Sequence, residues 1–352
     1  MACCDNVLVN WTNFCRPRHI YRGVGHLKKL ADFPYQHILV LGLAKSGTAA
    51  AEYLLTNGKT VRVNDMGALP DDHVVLKLKK QGADIILGSH PLSVLDGIEI
   101  IVKNPGISYE NPVVKEAIKR DIPIITEIEL ASQIAEGKII GITGSNGKTT
   151  TTTLISDMLV KSHQSVKLAG NIGFAATEVA QTVGQDDKLV LELSSFQLLG
   201  VQTFKPHIAV LLNIYEAHLD YHKTLENYQR AKFNIFKHQT SHDYLVYNIE
   251  DQTIVKGIKH IQSQLIPFST RRQLADGAWV DDSSIYFKDE KIIDRKDIVL
   301  VGEHNLENIL AAVCAAKLGG ASNEGIKSAL TTFSGVKHRL QFVGNVNDRL
   351  FY

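Results

Sequence analysis

The densest run of chemistry-bearing residues is Gly141-Ile142-Thr143-Gly144-Ser145-Asn146-Gly147-Lys148-Thr149-Thr150. An apolar stretch, GKIIGIT, leads in, and TTTTLISDMLVKSH leads out as a helix. Gly144 and Gly147 let backbone N–H groups approach phosphate oxygens with no Cβ in the way. The helix start adds its dipole and its unpaired N–H donors. Lys148 can reach outer phosphates as a point charge, and the Thr149 hydroxyl can hold Mg2+. A strict phosphate loop carries glycine six residues before its lysine; this chain has Ile142 there, so the match is partial. Strand, Gly-Lys-Thr and helix together favour nucleotide binding over a plain glycine turn.

Glu192 ends the hydrophobic run LVLE. In a parallel sheet, strand C-terminal ends line the ligand crevice. A carboxylate there can take Mg2+ or orient water; taken alone, it is equally a strand-end glutamate in solvent. A second apolar run, HIAVLLNI, opens into a loop with Glu216, His218, Asp220 and His222. His218 stands where a second metal or substrate ligand would be useful, and His222 reads as a surface residue. In ENYQRAKFNIFKH, Tyr228, Lys232 and Ile235 follow i, i+4, i+7 spacing, which puts the lysine on an apolar stripe. Lys232 either snorkels to water or sits in a low-dielectric site where its pKa falls. A neutral lysine can add CO2 to become a carbamate, a carboxylate able to bind Mg2+.

Further loops follow apolar runs. Gly42-Leu-Ala-Lys-Ser-Gly47 resembles a dinucleotide turn with Ala44 in place of the central glycine, and Asp65 follows the next strand. A tight strand-to-helix turn explains it equally well. KNPGIS at 103–108 and AGNIG at 169–173 could each lend backbone donors to a polar ligand.

The elements that must position these residues alternate. HILVL, TVRVND, ADIILG, GIEIIVK and IPIIT read as strands separated by helices, which argues a parallel sheet with helices on both faces. A second α/β unit follows, with SSIYFKDEKII as a hairpin and HNLENILAAVCAAKLG as a helix. The 352 residues allow about two domains or three small ones. Lys plus Arg is 38 and Asp plus Glu is 37, a net charge of +1, which excludes a polybasic nucleic-acid binder. No apolar run approaches ~18 residues, so no membrane span is expected. Cys3, Cys4, Cys15 and His19 fit no zinc module, and Cys314 reads as a small core residue. A reducing, cytoplasmic setting fits this cysteine usage.

As an ordered set, GLAKSG, KNPGI, TEIEL, GITGSNGKTT, AGNIG, LELSSFQL, the His218 loop, the Lys232 helix, GEHNLEN and GVKHR closely resemble the Mur ligases of peptidoglycan synthesis. The resemblance runs from about His37 to Tyr352 and is strongest to members that add D-glutamate to UDP-N-acetylmuramoyl-L-alanine (UDP-MurNAc-L-Ala). It implies an α/β fold: a Rossmann-like UDP-sugar domain at 37–127, a P-loop-type central ATPase domain at 128–335, and a C-terminal Rossmann-like domain. Residues 1–36 are an atypical segment, and 336–352 would be only a stub of the third domain. That domain is expected to be missing, so little ligase activity is expected of this chain alone.

By the same resemblance, Lys45, Ser46, Asp65, Asn104 and Gly106 would contact the UDP-sugar, and Asn171 and His218 its sugar and alanine end. Gly144, Ser145, Asn146, Gly147, Lys148, Thr149 and Thr150 would cradle ATP. Asn305 and Asn308 would reach adenine, and Arg339 the phosphates. Thr149 and Glu192 would serve one Mg2+, and His218 with carbamylated Lys232 the other. Lys148, Glu192, His218 and Lys232 would form the catalytic set. The implied partners are UDP-MurNAc-L-Ala and D-glutamate, with ATP and Mg2+ as cofactors, acting on a cytoplasmic monomer. Two other readings fit the same residues. One is a non-catalytic UDP-sugar and nucleotide-binding fragment. The other is an oxidoreductase suggested by GLAKSG alone, against which Ala44 and the downstream phosphate loop speak.

Overall fold

The computed structural model describes Leu30 and residues 33–336, 344–346 and 349–351. The cysteines and histidine near the N-terminus, and Arg339, lie outside the described residues.

The first sheet contains β1 (His37–Leu41), β2 (Thr60–Asp65), β3 (Asp84–Leu87), β4 (Ile100–Lys103) and β5 (Ile124–Ile125), in the order β3-β2-β1-β4-β5. All pairings are parallel, and Val40 of β1 stands opposite Val63 of β2 and Val102 of β4. Side chains alternate between faces along a strand. Ile38 and Val40 accordingly enter one core, while Leu39 and Leu41 enter another with Val113 and Val114 of the helix Pro112–Lys119. Burial on both faces explains why these strands read as unbroken apolar runs. Strand order reverses between β1 and β4, which opens a crevice at their C-terminal ends.

The second sheet has nine strands: β6 (Lys138–Thr143), β7 (Val166–Gly170), β8 (Lys188–Glu192), β9 (Ile208–Leu211), β10 (Tyr244–Asn248), β11 (Gln264–Ser269), β12 (Ala278–Val280), β13 (Ser284–Phe287) and β14 (Glu290–Asp294). Their order is β14-β13-β12-β11-β10-β9-β6-β8-β7. The pairings from β7 through β12 are parallel, and β12-β13-β14 is an antiparallel meander. The hairpin expected at SSIYFKDEKII is therefore present as β13–β14, and Trp279 of β12 stacks on Tyr286 of β13 at 4.2 Å. Helices Lys148–Lys161, Glu303–Leu318 and Asn323–Leu330 bury one face, with Cys314 fully enclosed. A separate two-stranded hairpin pairs β15 (Gly344–Val346) with β16 (Arg349–Phe351).

One core cluster is continuous from Ile38 and Val63 through Ile128 and Leu130 to Leu191 and Leu211, so the two sheets share packing. TEIEL makes this junction. Glu127 is buried and accepts from the Thr177 N–H; burial raises its carboxyl to about 7. Glu129 accepts from the N–H groups of Gln202 and Thr203 at 2.9 Å each and of Phe204 at 3.2 Å. Among the described residues, no helix is long and apolar enough to cross a membrane.

Candidate active site

The loop after β6 meets the crevice between β8 and β9, the two neighbours of β6. Gly147 is the residue before the helix Lys148–Lys161; its φ is +83° and no side chain caps the helix. The first-turn N–H donors are thus left to water or to a ligand. Only glycine suits this position, because a Cβ would lie 2.0 Å from Asn308 Oδ1. The β9 exit loop fixes the phosphate loop. Ser145 N donates to Asn213 O at 3.0 Å, and Asn146 N to Asn213 Oδ1 at 2.9 Å. Lys148 Nζ folds back onto Gly144 O (2.8 Å) and Ser145 O (3.0 Å). Thr149 and Thr150 occupy the first turn, where Thr149 O accepts from Thr153 Oγ1 at 2.8 Å.

Glu192 closes β8, beside Ile142 of β6. Its side chain is 1% exposed. Oε1 accepts from Asn171 Nδ2 at 3.0 Å, while Oε2 is buried without a partner. The sequence left open a solvated strand-end glutamate; burial removes that alternative. A buried carboxylate oxygen with no donor is costly and points to a cation. Asn171 is clipped to the same residue through its backbone N–H to Glu192 O at 2.9 Å.

Lys232 is 1% exposed, so it does not snorkel. Nζ donates to Gly144 O at 2.7 Å and lies 4.7 Å from the Tyr228 ring centroid. Burial, and then the nearby Lys148 charge, lower its pKa to about 6. Tyr228 Oη in turn meets Ser145 Oγ at 3.0 Å. The apolar stripe inferred from spacing therefore delivers the lysine directly beneath the phosphate loop.

His218 is exposed and left-handed, with φ +54°. It precedes a short helix, Leu219–His222, where the sequence suggested a loop. Its ring meets Phe196 edge-on at 5.0 Å. The expectation that His222 is a surface residue is wrong. His222 is 4% exposed, stacks on Phe196 at 5.3 Å, and meets Ser195 Oγ through Nε2 at 2.9 Å. The helical turn swings it inward between Phe196 and Tyr228. Burial, with His218 and Lys232 nearby, lowers its pKa to about 4, so the ring is neutral at pH 7.

Asn305 and Asn308 are buried in an amide chain. Thr151 Oγ1 donates to Asn308 Oδ1 (3.4 Å), Asn308 Nδ2 to Asn305 Oδ1 (3.2 Å), and Asn305 Nδ2 to Val301 O (2.7 Å). They border a cavity of about 250 Å3 with Asn146, Tyr215 and Glu307. Glu307 went unremarked in the sequence; burial raises its carboxyl pKa. A larger cleft of about 560 Å3, between Arg271, Trp279 and Arg295, contains none of the expected site residues.

At the first crevice, Asn104 Nδ2 donates to Ser46 Oγ at 3.3 Å, and Asn104 Oδ1 accepts from Gly106 N at 3.1 Å. Lys45 begins the helix Lys45–Thr56 and is exposed. Gly47 is required by close approach, since a Cβ there would lie 1.9 Å from Gly42 O. Asp65 is a loop organiser here. Its carboxylate accepts from Leu43 N at 2.6 Å and from Gly67 N and Ala68 N at 2.8 Å. Burial would raise its pKa, but these donors outweigh burial and hold it below the usual value.

Among the described residues, no three or more His, Cys, Asp or Glu side chains gather into a ready-made cage. Mg2+ does not require one, because it binds one or two carboxylates together with phosphates and water. The orphaned Glu192 oxygen beside the phosphate loop fits that pattern.

A phosphate loop, a buried carboxylate and a buried lysine at the C-terminal ends of parallel strands make the second crevice that of a nucleotide-binding α/β protein. The chain belongs to the Mur ligase family: residues 36–126 match the Mur ligase MurD-like, N-terminal domain, and residues 142–316 the Mur ligase middle domain. The UDP-N-acetylmuramoylalanine--D-glutamate ligase of Oceanobacillus iheyensis is 60% identical over 323 residues, 92% of this chain and 72% of that protein. The ligase of the same name from Bacillus subtilis is 51% identical over 319 residues, 90% of this chain and 71% of that protein. Among solved structures, the UDP-N-acetylmuramate:L-alanyl-gamma-D-glutamyl-meso-diaminopimelate ligase of Neisseria meningitides shares the fold at a TM-score of 0.59 and 18% identity, covering 86% of this chain and 99% of that one. The family comprises ATP-dependent ligases of peptidoglycan synthesis and uses Mg2+.

Proposed function

We propose that this chain carries the sites that bind UDP-MurNAc-L-Ala and ATP for its ligation to D-glutamate. The observation that carries the reading is the unpartnered Glu192 Oε2 buried beside the phosphate loop. Residues 37–127 bind the sugar nucleotide through Lys45, Ser46, Asp65, Asn104 and Gly106. Residues 128–335 bind ATP through Gly144 to Thr150, with Asn305 and Asn308 at the base. Arg339 completes the phosphate contacts. Asn171 and His218 meet the sugar and alanine end of the sugar nucleotide. The protein acts as a cytoplasmic monomer.

Two Mg2+ ions would be held, one by Thr149 and Glu192 and one by His218 and carbamylated Lys232. When bound, they neutralise charge on the transferring phosphoryl group. Lys148 leaves the loop carbonyls and adds its charge to the outer phosphates. The alanine carboxylate attacks the γ-phosphorus, the bond to the β-phosphate oxygen breaks, and ADP leaves an acyl phosphate. The D-glutamate amine then attacks the activated carbonyl, and the tetrahedral intermediate expels phosphate. ATP is required because a carboxylate is a poor electrophile.

Burial favours the neutral Lys232 amine that a carbamate requires. The neutral amine adds to CO2, an N–C bond forms, and a proton leaves to solvent. With 13C-bicarbonate, NMR is expected to show a carbamate resonance in the wild type that Lys232→Met lacks. A second readout follows from linkage. Folded Lys232 loses its proton near pH 6, against an ordinary value of 10.5. Between these values the unfolded chain binds the extra proton, so stability rises with pH through that window. Lys232→Met removes this component of the slope, which denaturant melts at several pH values will read.

Thermal stabilisation tests the functional reading. Specific ligands stabilise by RT ln(1 + [L]/Kd). UDP-MurNAc-L-Ala and ATP–Mg2+ should each raise the melting temperature, and NAD should not. A response to NAD alone would favour an oxidoreductase.

A further inference from the structure

Lys103 closes β4 immediately before the Asn104–Ile107 loop. Its side chain is 0% exposed. Nζ donates to Asn104 O at 3.1 Å, Pro105 O at 3.4 Å and Ile107 O at 2.7 Å. Its fourth polar partner comes from the other sheet's unit: Tyr221 Oη, at 3.3 Å. Tyr221 Oη itself donates to Ile107 O at 2.9 Å. The rings of Tyr109 and Tyr221 lie 4.9 and 6.0 Å from the ammonium. Burial lowers the lysine's pKa to about 8.

A methionine would fill the same volume without desolvating a charge. What the ammonium adds is direction, because three carbonyls of one loop must converge on a single point. Tyr221 lies in the short helix that begins after His218, and its N–H donates to His218 O at 3.1 Å. His218 and Lys223, at the two ends of that helix, both have positive φ, +54° and +68°. Such residues persist only where their surroundings over-determine them. Tyr221 supplies part of that constraint, packed edge-on to Phe196 at 4.6 Å.

We propose that Lys103 is a positioning residue which, through Tyr221, holds the Asn104–Ile107 loop and the His218 segment in fixed relation, so that the sugar nucleotide meets them as one preformed surface. This rests on the reading that both segments face that ligand. The hydrogen-bond partners of Lys103 lie in the Asn104–Ile107 loop and at Tyr221, not in the phosphate loop, so its larger effect falls on the sugar nucleotide and reaches ATP–Mg2+ only through His218.

The test uses the full chain with Lys103→Met, Tyr221→Phe and the double variant. Calorimetry should show UDP-MurNAc-L-Ala binding weakened roughly 10- to 100-fold by Lys103→Met, the size of effect expected from a small misplacement. Tyr221→Phe, which removes one hydroxyl, should weaken it about 3- to 10-fold. The double variant should be no worse than Lys103→Met, because the two act as one unit. ATP–Mg2+ affinity should fall by less than sugar-nucleotide affinity in all three, because only the His218 ligand links the positioned segment to that site. Amide hydrogen exchange needs no ligand and separates this proposal from the substrate reading. In Lys103→Met, and in Tyr221→Phe if the first variant fails to fold, exchange should rise together at 104–109 and 218–223, with both sheets still protected. Additive losses, unchanged sugar-nucleotide affinity, or faster exchange at 104–109 alone would overturn the proposal. If the wild type bound no sugar nucleotide, the substrate reading would fail and the exchange result would decide the positioning role.

Discussion

Lys148→Ala is expected to weaken ATP–Mg2+ binding by about 100-fold or more, since two charge-assisted hydrogen bonds at ~1.5–3 kcal/mol each are lost. Its effect on folding should be small. In the free protein Lys148 donates to Gly144 O and Ser145 O, but Gly144 O keeps a second donor in Lys232 at 2.7 Å, and Ser145 is only part-buried. UDP-MurNAc-L-Ala affinity should remain within about twofold, because distant sites behave additively. Removing the Lys148 charge also relieves one of the two causes that depress Lys232. The Lys232 pKa should therefore rise in this variant, which raises the lower edge of the pH window and narrows it, the upper edge staying at the ordinary lysine value. Calorimetry with both ligands and melts across pH check the two halves of this expectation. Equal losses for both nucleotides would mean that the loop does not discriminate between them.

Glu192→Gln should separate stability from function. The wild-type carboxylate is 1% exposed and has one oxygen without a partner. Replacing it with a neutral amide of the same shape relieves a buried charge and should stabilise the free protein by about 1 kcal/mol. The amide still accepts from Asn171 through its oxygen, so the loop at Asn171 should keep its place. Its NH2 then faces the position assigned to Mg2+ and repels the ion. ATP affinity in Mg2+ is expected to fall toward the value measured with EDTA, the remaining gap being set by the ion assigned to His218 and Lys232, while the EDTA value itself changes little. A variant that melts lower and keeps its Mg2+ dependence would make Glu192 a structural residue.

Much of the architecture was legible in the sequence because both sheets are covered on both faces. Continuous apolar runs such as HILVL and LVLE ending in glycine or polar loops are what parallel strands require, and they fixed where the loops would gather. The placement of Lys232 on an apolar stripe was legible for a similar reason: period 3.6 states which face a residue occupies. What the period cannot state is what meets that face. His222 was misread because its partner Ser195 lies 27 residues away, and the turn that buries it is set by Phe196 and Tyr228. Lys103 was passed over although it ends an apolar run, because Tyr221 is 118 residues distant. Asp65, Asn305 and Asn308 were named for ligands, and the structure finds them bonded to the protein as well, which prearranges the loops around them.

The central claim is that two separate nucleotide sites, one on each sheet, lie on this one chain and fill together. Calorimetric titration of the protein with UDP-MurNAc-L-Ala, first alone and then with ATP–Mg2+ saturating, addresses it most directly. The account predicts one sugar nucleotide and one ATP per chain, with neither displacing the other. Displacement of the sugar nucleotide by ATP, or no sugar-nucleotide binding under either condition, would contradict it.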